Sequence, residues 1–253
     1  MKPAYLSVSQ ITTFLACPMR YRLKYVDHVR PAFKPAALAL GSAVHSAIEW
    51  LHKAWGSGVR PSEEDVVGIF EADLQAQAID EIRFRAGEGL AELRAAGSAL
   101  VALYHREVTP GPSKASELPF EVELWDATTG EVLDVPLRGW IDRIEADGTL
   151  VELKTASRKF DAEPLALNLQ LSACSYAGRV LYRERPPLRL DCLLKTKEPK
   201  LERVEVTRTD EDDRRLFRIV QEVLAAIEAE SFFPNPSWMC RDCEVRHRCP
   251  LWA

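Results

Sequence analysis

The chain has 253 residues, of which 47% are hydrophobic and 28% are charged, so it can bury a core and is not a disordered polymer. Its net charge of -5 argues against a protein that coats nucleic acid by bulk electrostatics, because each phosphate contact needs its own Lys or Arg. No apolar run approaches the roughly 18 residues of a membrane helix, and the segment MKPAYLSVSQ lacks the apolar stretch of a secretory signal. We therefore expect a cytoplasmic protein without a membrane partner.

The first part of the chain is predicted to be helical. Ser7 with Gln10 and Ser62 with Asp65 have the spacing of helix capping signals, and Pro18 is tolerated in the first turn of a helix. Apolar side chains then recur at helical spacing. The predicted helices begin near residue 8, run from Pro18 to Tyr25, and cover residues 38–55, about 62–84 and about 88–107.

From Glu117 the pattern changes to strands separated by turn residues. The predicted elements are strands at 117–126, 131–139, 139–145 and 149–155, a helix at about 161–184, strands at 188–196 and 201–207, and a helix at 210–230. A tail rich in Pro, Trp and Cys follows from Ser231. This order predicts one α/β domain over residues 1–253, with a central mixed sheet flanked by helices and a helical insertion at 56–116.

The hairpin from Gly139 to Thr155 contains the pattern Asp142, Glu152, Lys154. A two-residue turn at Asp147-Gly148 would point the two carboxylates to opposite faces. A three-residue loop with Gly148 in the left-handed position of a bulge would place Asp142 opposite Glu152. Only the second register brings the two acids together, so a shared site requires the bulged loop.

In that register the face holds two carboxylates and an amine. Opposite residues in a hairpin have Cβ atoms roughly 4.5–5.5 Å apart, close enough to share a hard cation such as Mg²⁺ or Mn²⁺. Lys154 is on the same face as Glu152 because side chains alternate along a strand. Such a face could form a hydrolytic site, in which the metal activates a water molecule and the lysine orients or deprotonates it. The same pattern in isolation is also typical of a solvated strand face.

Three of the six cysteines crowd into the tail as Cys240-x2-Cys243-x5-Cys249, a spacing suited to a metal or cluster. Cys17 is a candidate fourth ligand. Four thiolates suit structural zinc or an iron-sulfur cluster, and the spacing leaves both open. In either case the group would tie the N-terminal helix to the tail, residues 231–253. Cys174 and Cys192 fall in helix and strand patterns typical of buried free thiols.

The motifs together resemble the PD-(D/E)XK nuclease superfamily, in particular the RecB-like nucleases. The matching segments are Gly41 to His45 (GSAVH), Gly139 to Ile144 (GWIDRI), Val151 to Thr155 (VELKT) and Gln170-Leu171 followed by Tyr176. The resemblance implies a restriction-endonuclease-like core and a metal-dependent DNA nuclease. It makes His45, Asp142, Glu152 and the Leu153 carbonyl metal ligands, Lys154 the catalytic lysine, and Gln170 a residue that positions the lysine or DNA.

RecB-like families with an iron-sulfur cluster, including the AddB nuclease domain and the CRISPR-associated RecB-like nuclease, have one cysteine before the nuclease core and three after it. The resemblance thus implies a 4Fe-4S cluster on Cys17, Cys240, Cys243 and Cys249, ahead of zinc. One departure is that the family's tyrosine, four residues after the glutamine, is Cys174 here. Tyr176 differs from that position by about 200° around a helix, so it cannot simply take the tyrosine's place.

The expected function is that of an exonuclease on DNA ends or single strands, in DNA repair and recombination or in CRISPR adaptation, with a helicase or CRISPR integrase subunit as partner. The alternatives are a non-catalytic iron-sulfur DNA-binding subunit of such a complex and a zinc-held interaction protein. The candidate DNA contacts are Tyr176, the basic residues Arg20, Arg22 and Lys24, and Lys195, Lys197 and Lys200 at a strand turn.

Overall fold

The structure is a computed structural model that describes residues 2–109, 113–159 and 161–252. Its centre is a five-stranded mixed sheet in the order β3-β4-β5-β6-β7, in which β5 and β6 are parallel and the other neighbours are antiparallel. Two short parallel strands, β1 and β2, lie outside it. The strands are β1 (Lys34–Pro35), β2 (Ile82–Arg83), β3 (Ser113–Val122), β4 (Leu137–Glu145), β5 (Leu150–Ala156), β6 (Leu188–Leu194) and β7 (Lys200–Val206).

Helices cover both faces of the five-stranded sheet. They are α1 (Val8–Ala16), α2 (Pro18–Tyr21), α3 (Ala36–Gly56), α4 (Glu63–Gln77), α5 (Leu90–Glu107), α6 (Ala162–Ala166), α7 (Leu169–Tyr182) and α8 (Asp210–Glu228). A π-helical turn, Arg22–Val26, continues α2, and the tail contains the 3-10 turns Trp238–Asp242 and Arg246–Arg248. No helix in the described ranges is long and apolar enough to cross a membrane.

Two apolar cores lie on either side of the sheet. Leu150 and Leu190 pack with residues of α1, α7 and α8, whereas Leu153 and Leu193 pack with residues of α3, α4 and α5. Side chains of the same strand enter different cores because side chains alternate between the two faces of a sheet. Because both faces are covered, β6 is buried along nearly its whole length. The predicted fold class, a central mixed sheet flanked by helices, is confirmed.

The predicted helix at 62–84 is wrong at its end. The Ser62 capping box is present, but α4 ends at Gln77, and Ile79 after it is exposed. Ile82 and Arg83 then form β2, which pairs with Lys34–Pro35. Because the Ile79 side chain is not buried, a further helical turn would gain no packing against the core.

The separate strands predicted at 131–139 and 139–145 are also wrong. Val132 forms an isolated bridge with Trp125 around a turn, and β4 then runs without a break through Gly139. Pro136, which has no N–H to donate, separates the two segments, and its carbonyl accepts from Leu6 N at 3.0 Å. The turn at Thr129-Gly130 is present, with Gly130 at a positive φ of 74°.

The helix predicted at 161–184 is two helices, α6 and α7. Asn168 begins the second one, since its side chain accepts from Leu171 N at 3.1 Å. The insertion predicted at 56–116 contains α4, β2 and α5, but Ser113–Ser116 already belong to β3. Residues 110–112 of that range lie outside the described part of the chain.

Candidate active site

The β4-β5 hairpin has the register that a shared site requires. Arg143 pairs with Val151 and Ile144 with Leu150, which places Asp142 opposite Glu152. Glu145 N donates to Thr149 O at 2.9 Å, and Gly148 N donates to Glu145 O at 2.9 Å. Gly148 has φ +97°, a conformation that favours glycine. The three-residue bulged loop predicted from the sequence is therefore confirmed.

Beyond Arg143 and Val151 the hairpin opens, and a side chain replaces the regular pairing. The Asp142 Oδ2 atom accepts a hydrogen bond from Leu153 N at 2.7 Å. Asp142 is thus fixed to the backbone of β5, between the two residues Glu152 and Lys154 that carry the other charges of the motif.

His45, Glu117 and Asp142 each offer a ligand atom, and these three atoms lie within 4.8 Å of one another. The His45 Nδ1 to Asp142 Oδ2 distance is 3.8 Å. His45 comes from the middle of α3, while Glu117 comes from β3. The α3 helix packs against β5 closely enough that a Cβ on Gly41 would lie 3.6 Å from the Thr155 hydroxyl.

Glu117 is a site residue that the sequence did not reveal. Its neighbours Ser116 and Leu118 pair with Arg143 and Ile141, which puts Glu117 beside Asp142 on the adjacent strand. Its φ of +50° is unusual for a residue other than glycine and is often associated with functional sites. In the sequence Glu117 reads as one of several acids on a solvated strand face, and only the β3-β4 pairing distinguishes it.

Glu152 and Lys154 form a second group of contacts. Glu152 is buried and ion-pairs with the Lys154 amine. Gln170 Nε2 donates to Glu152 Oε2 at 3.4 Å, and the Cys174 thiol contacts the same oxygen at 3.6 Å. Burial and the adjacent Glu152 carboxylate raise the pKa of the Cys174 thiol well above its usual value, so the thiol keeps its proton and donates it. The residue at the family's tyrosine position therefore contacts a site carboxylate.

Burial raises the pKa of each acid of the site, and the Asp142 carboxylate adds to this effect on Glu117 and Glu152. Burial, followed by the Asp142 carboxylate, raises the pKa of Glu117 to about 7. Burial also raises the pKa of Asp142, against the Leu153 N–H bond that lowers it. Burial and Asp142 raise the pKa of Glu152. A cation placed among these groups would relieve the repulsion that disfavours their ionised forms.

The pKa values of the two basic groups shift in different directions. Burial lowers the pKa of His45, and the Lys154 ammonium lowers it further, so the imidazole stays neutral as a metal ligand must. Burial lowers the pKa of Lys154, but the Glu152 carboxylate more than offsets this and raises it overall. Lys154 is therefore a cation held beside a buried carboxylate.

The donor set fits a divalent cation. Carboxylate oxygens are ligands that Mg²⁺ and Mn²⁺ prefer, and an imidazole nitrogen is acceptable to several divalent metals. Adjacent ligands of an octahedral Mg²⁺ are about 3.0 Å apart and opposite ligands about 4.2 Å. The three ligand atoms of His45, Glu117 and Asp142, which lie within 4.8 Å of one another, would therefore have to move closer together to bind one ion.

A buried polar network next to the site holds β4 in place. Arg143 donates to His52 Nε2 at 2.9 Å and to Asp191 at 3.2 Å, and it contacts the Tyr104 hydroxyl. Asp191, which is fully buried, also accepts from Arg189 Nε at 2.7 Å. Because Arg143 is next to Asp142, this network fixes the backbone from which the site carboxylate extends.

The four predicted cluster cysteines come together. Cys17, Cys240, Cys243 and Cys249 line one pocket between the N-terminal helices and the tail. Asn235 N donates to the Cys17 sulfur and Ser237 N to the Cys240 sulfur, each at 3.4 Å. Such N–H donors stabilise thiolate ligands of iron-sulfur clusters. Cys174 and Cys192 are buried in the core, as their patterns indicated.

Several of the predicted DNA contacts have other partners in this structure. Tyr176 is fully buried, and its hydroxyl donates to Glu123 O at 2.9 Å, so DNA cannot contact its side chain here. Arg20 and Lys24 ion-pair with the buried Glu244 of the tail at 2.7 and 2.8 Å. Lys195 ion-pairs with Glu88 at 3.0 Å, and Lys197 is exposed in the turn before β7.

The mixed sheet, the acids beside His45 and the lysine paired with Glu152 define a hydrolase that acts on phosphodiesters. A sequence model of the PD-(D/E)XK nuclease superfamily matches residues 5–250, and the chain belongs to this superfamily. The family assignment makes the protein a nuclease and implies DNA as its substrate class, and nucleases of this superfamily use divalent metals.

A solved structure has the same fold. The chain is similar to a protein named "Putative exonuclease" from Eubacterium rectale, with a TM-score of 0.61 and 16% identity over 96% of this chain and 88% of that one. It also aligns with the protein SSO0001 at 12% identity over 97% of this chain and 96% of that one, with a TM-score of 0.40. No curated protein sequence matches the chain.

Proposed function

We propose that this protein is an exonuclease that uses Mg²⁺ or Mn²⁺ to degrade DNA from ends or as single strands. The observation that carries the proposal is the arrangement of His45, Glu117 and Asp142, whose ligand atoms lie within 4.8 Å of one another beside the Glu152-Lys154 pair. The name of the structural neighbour from Eubacterium rectale is consistent with an exonuclease.

Each residue has a role in this proposal. His45, Asp142 and Glu117 hold the metal, and Glu152 and the Leu153 carbonyl complete the ligand set. The metal, when bound, activates a water molecule and stabilises the charge on the phosphate. Lys154, as an ammonium, orients the attacking water, and Gln170 holds the Glu152 carboxylate in the orientation that keeps Lys154 in place.

We further propose that the four cysteines hold a 4Fe-4S cluster. The sulfurs of a tetrahedral zinc site lie about 3.8 Å apart, given a Zn–S bond of about 2.3 Å. In the described ranges, the three-ligand group within 4.8 Å consists of His45, Glu117 and Asp142, and the cysteines form no such group. A cluster in which each thiolate binds a different iron needs wider spacing, which favours iron-sulfur over zinc.

Two settings suit such an enzyme, namely DNA repair and recombination, with a helicase as partner, and CRISPR adaptation, with an integrase subunit. A non-catalytic iron-sulfur DNA-binding subunit is the competing function. The convergence of His45, Glu117, Asp142 and the Glu152-Lys154 pair favours the enzyme, because a binding subunit has no need of a metal centre with a lysine beside it.

The test is digestion of end-labelled linear DNA, single- and double-stranded, and of circular single-stranded DNA, with Mg²⁺, Mn²⁺ or EDTA. We expect cleavage of linear substrates that requires metal and is lost in Glu152→Ala and Lys154→Ala. Glu205→Ala, which removes an exposed acid from the edge strand β7, is the matched control. Equal cleavage by all variants would exclude this site, and metal-dependent cleavage of the circle would exclude a strict exonuclease.

The cluster is tested separately on anaerobically purified protein. We expect a brown protein with visible absorption and about four irons and four sulfides per chain, as a 4Fe-4S cluster requires. Cys243→Ser should lose both metal and colour. A colourless protein with one zinc per chain would show that the same four thiolates hold zinc.

A further inference from the structure

A groove of about 800 Å³ lies apart from the metal ligands. Its walls come from the N-terminal end of α3, the loop after β2, the ends of β5 and β6, and the 3-10 turn Trp238–Asp242 of the tail. We call it the cationic groove, because its lining includes the basic residues Arg83, Arg85, Lys195 and Arg241.

The charge of the groove is opposite to that of the whole protein. Glu88 and Asp242 are the acids among the lining residues, and each is already paired, Glu88 with Lys195 at 3.0 Å and Asp242 with Arg241 at 3.5 Å. Arg83 and Arg85 are left as exposed positive charge. A local excess of cations on a chain of net charge -5 indicates a polyanionic ligand at this position.

The groove also presents an aromatic surface. Trp238 is 81% exposed, the largest fraction among the exposed tryptophans. Phe84 and Phe33 lie in the same lining. The Arg83 guanidinium stacks 3.7 Å from the centre of the Phe33 ring and donates to Arg241 O at 3.3 Å, so the two walls are joined before any ligand binds. Cations interleaved with an exposed aromatic ring are the features on which unpaired bases stack.

The groove and the active site share two elements. Ser157 lines the groove three residues after Lys154, a distance of about 10 Å along an extended chain. Ala37 lines it eight residues before His45 on α3, which is about 12 Å along a helix. The positive end of the α3 dipole, without an acid in its first turn, also faces this side.

We propose that the cationic groove binds single-stranded DNA and leads it to the metal site. This proposal rests on the proposed function for its substrate and adds the strand state and the path. A duplex buries its base faces in its own stack and offers none to Trp238, whereas a single strand offers both bases and phosphates. The groove therefore selects unpaired DNA.

The test is fluorescence anisotropy with a labelled oligo(dT) of about 16 nucleotides, the upper site size of a single-strand binding fold, and with a matched duplex. EDTA is present so that the DNA stays intact. We expect Trp238→Ala to weaken oligo(dT) binding about tenfold, from the loss of one base stack. Phe233→Ala, which removes another exposed aromatic ring of the tail outside the groove, should bind like the wild type.

The charge is tested by the salt dependence of the same binding. Arg83→Ala with Arg85→Ala should lower the slope of log affinity against log salt by about 1.4, since each phosphate contact on a single strand contributes about 0.7. Arg214→Ala with Arg215→Ala, on the surface of α8, is the charge-matched control and should leave the slope unchanged.

The outcomes separate this proposal from the proposed function. If the groove variants keep the wild-type affinity for oligo(dT) and the wild-type salt dependence, the groove does not bind DNA. The proposal is also wrong if the wild type binds the duplex more tightly than oligo(dT) and the same variants abolish that binding. If the groove variants are normal but Glu152→Ala is inactive, the nuclease stands without the groove. If the wild type binds oligo(dT) through these residues but cuts no DNA, the groove is supported and the proposed nuclease function is excluded.

Discussion

Glu117 shows how a single side chain completes a site. It lies beside Asp142 on β3, and burial with the neighbouring carboxylates raises its pKa to about 7. Its ionised form is therefore unfavourable without a cation and favourable with one. The carboxylates of Glu117 and Asp142 repel each other, and a bound cation would offset that repulsion.

We predict that Glu117→Gln will raise the Mn²⁺ concentration for half-maximal cleavage by at least about tenfold, because even partners of metal ligands cost that much when lost. The thermal midpoint measured in EDTA should not fall, since the change removes a repulsive carboxylate. Glu121→Gln, on the same strand but exposed and paired with Arg138, is the control. Unchanged metal dependence in Glu117→Gln would remove Glu117 from the ligand set.

His52 links a residue's titration to the stability of the whole fold. Burial, followed by the Arg143 charge, lowers the pKa of His52 to about 3, against an ordinary value of 6.5. Between those values the unfolded chain binds a proton that the folded chain does not. The contribution of neutral His52 to the free energy of unfolding is therefore fully present above pH 6.5 and is lost progressively as the pH falls toward 3.

From this we expect the free energy of unfolding, measured with urea, to fall by about 2 kcal/mol between pH 7 and pH 5 through His52. His52→Gln should remove that part of the fall while keeping a polar partner for Arg143. His247→Gln, which removes an exposed histidine, serves as the control. If His52→Gln keeps the wild-type pH dependence, the imidazole does not remain neutral in the folded protein.

At the level of the elements, two helical glycines in the α4-α5 pair make opposite predictions. A Cβ on Gly97 of α5 would lie 1.9 Å from the Phe70 ring of α4, whereas a Cβ on Gly68 of α4 would meet nothing within 4 Å. Gly97→Ala should therefore lower the thermal midpoint by separating the helices. Gly68→Ala should raise stability by up to about 1 kcal/mol, the difference in helix propensity. The same sign for both substitutions would contradict this packing.

The elements also show what the sequence can and cannot predict. The β4-β5 register was predictable because it depends on local features, the Asp147-Gly148 turn and the need to bring Asp142 opposite Glu152. The role of Glu117 depends on which strand lies beside β4, a long-range pairing that the local pattern does not contain. The short strand β2 was mistaken for helix for the same reason, since its partner is about 50 residues earlier in the chain.

At the level of the whole molecule, the cysteine cluster and the groove depend on one another. Cys240 lies between Trp238 and Arg241 in a single 3-10 turn, so the group that holds Cys240 also sets one wall of the groove. Arg20 and Lys24 add ion pairs to the buried Glu244 of the tail. If the groove binds DNA as proposed, the four cysteines would act on that binding through the position of the tail.

Accordingly, Cys240→Ser should release the tail, increase its cleavage in limited proteolysis, and reduce oligo(dT) affinity about as much as Trp238→Ala does. Arg248→Ala, an exposed substitution in the same tail, should change neither. Normal oligo(dT) binding by a Cys240→Ser protein that has lost its cluster would show that the tail holds its shape without the metal.

The bond between Asp142 and Leu153 has a consequence for dynamics. The carboxylate occupies the place in the ladder where a strand carbonyl would normally accept, so β4 and β5 are joined at this point by a side chain of the site. The Leu153 amide should consequently exchange its hydrogen with solvent at a rate that reports on the state of that carboxylate. One oxygen atom of Asp142 both joins the two strands and faces His45. A substitution of Asp142 that disables the site should therefore also loosen the backbone of β5.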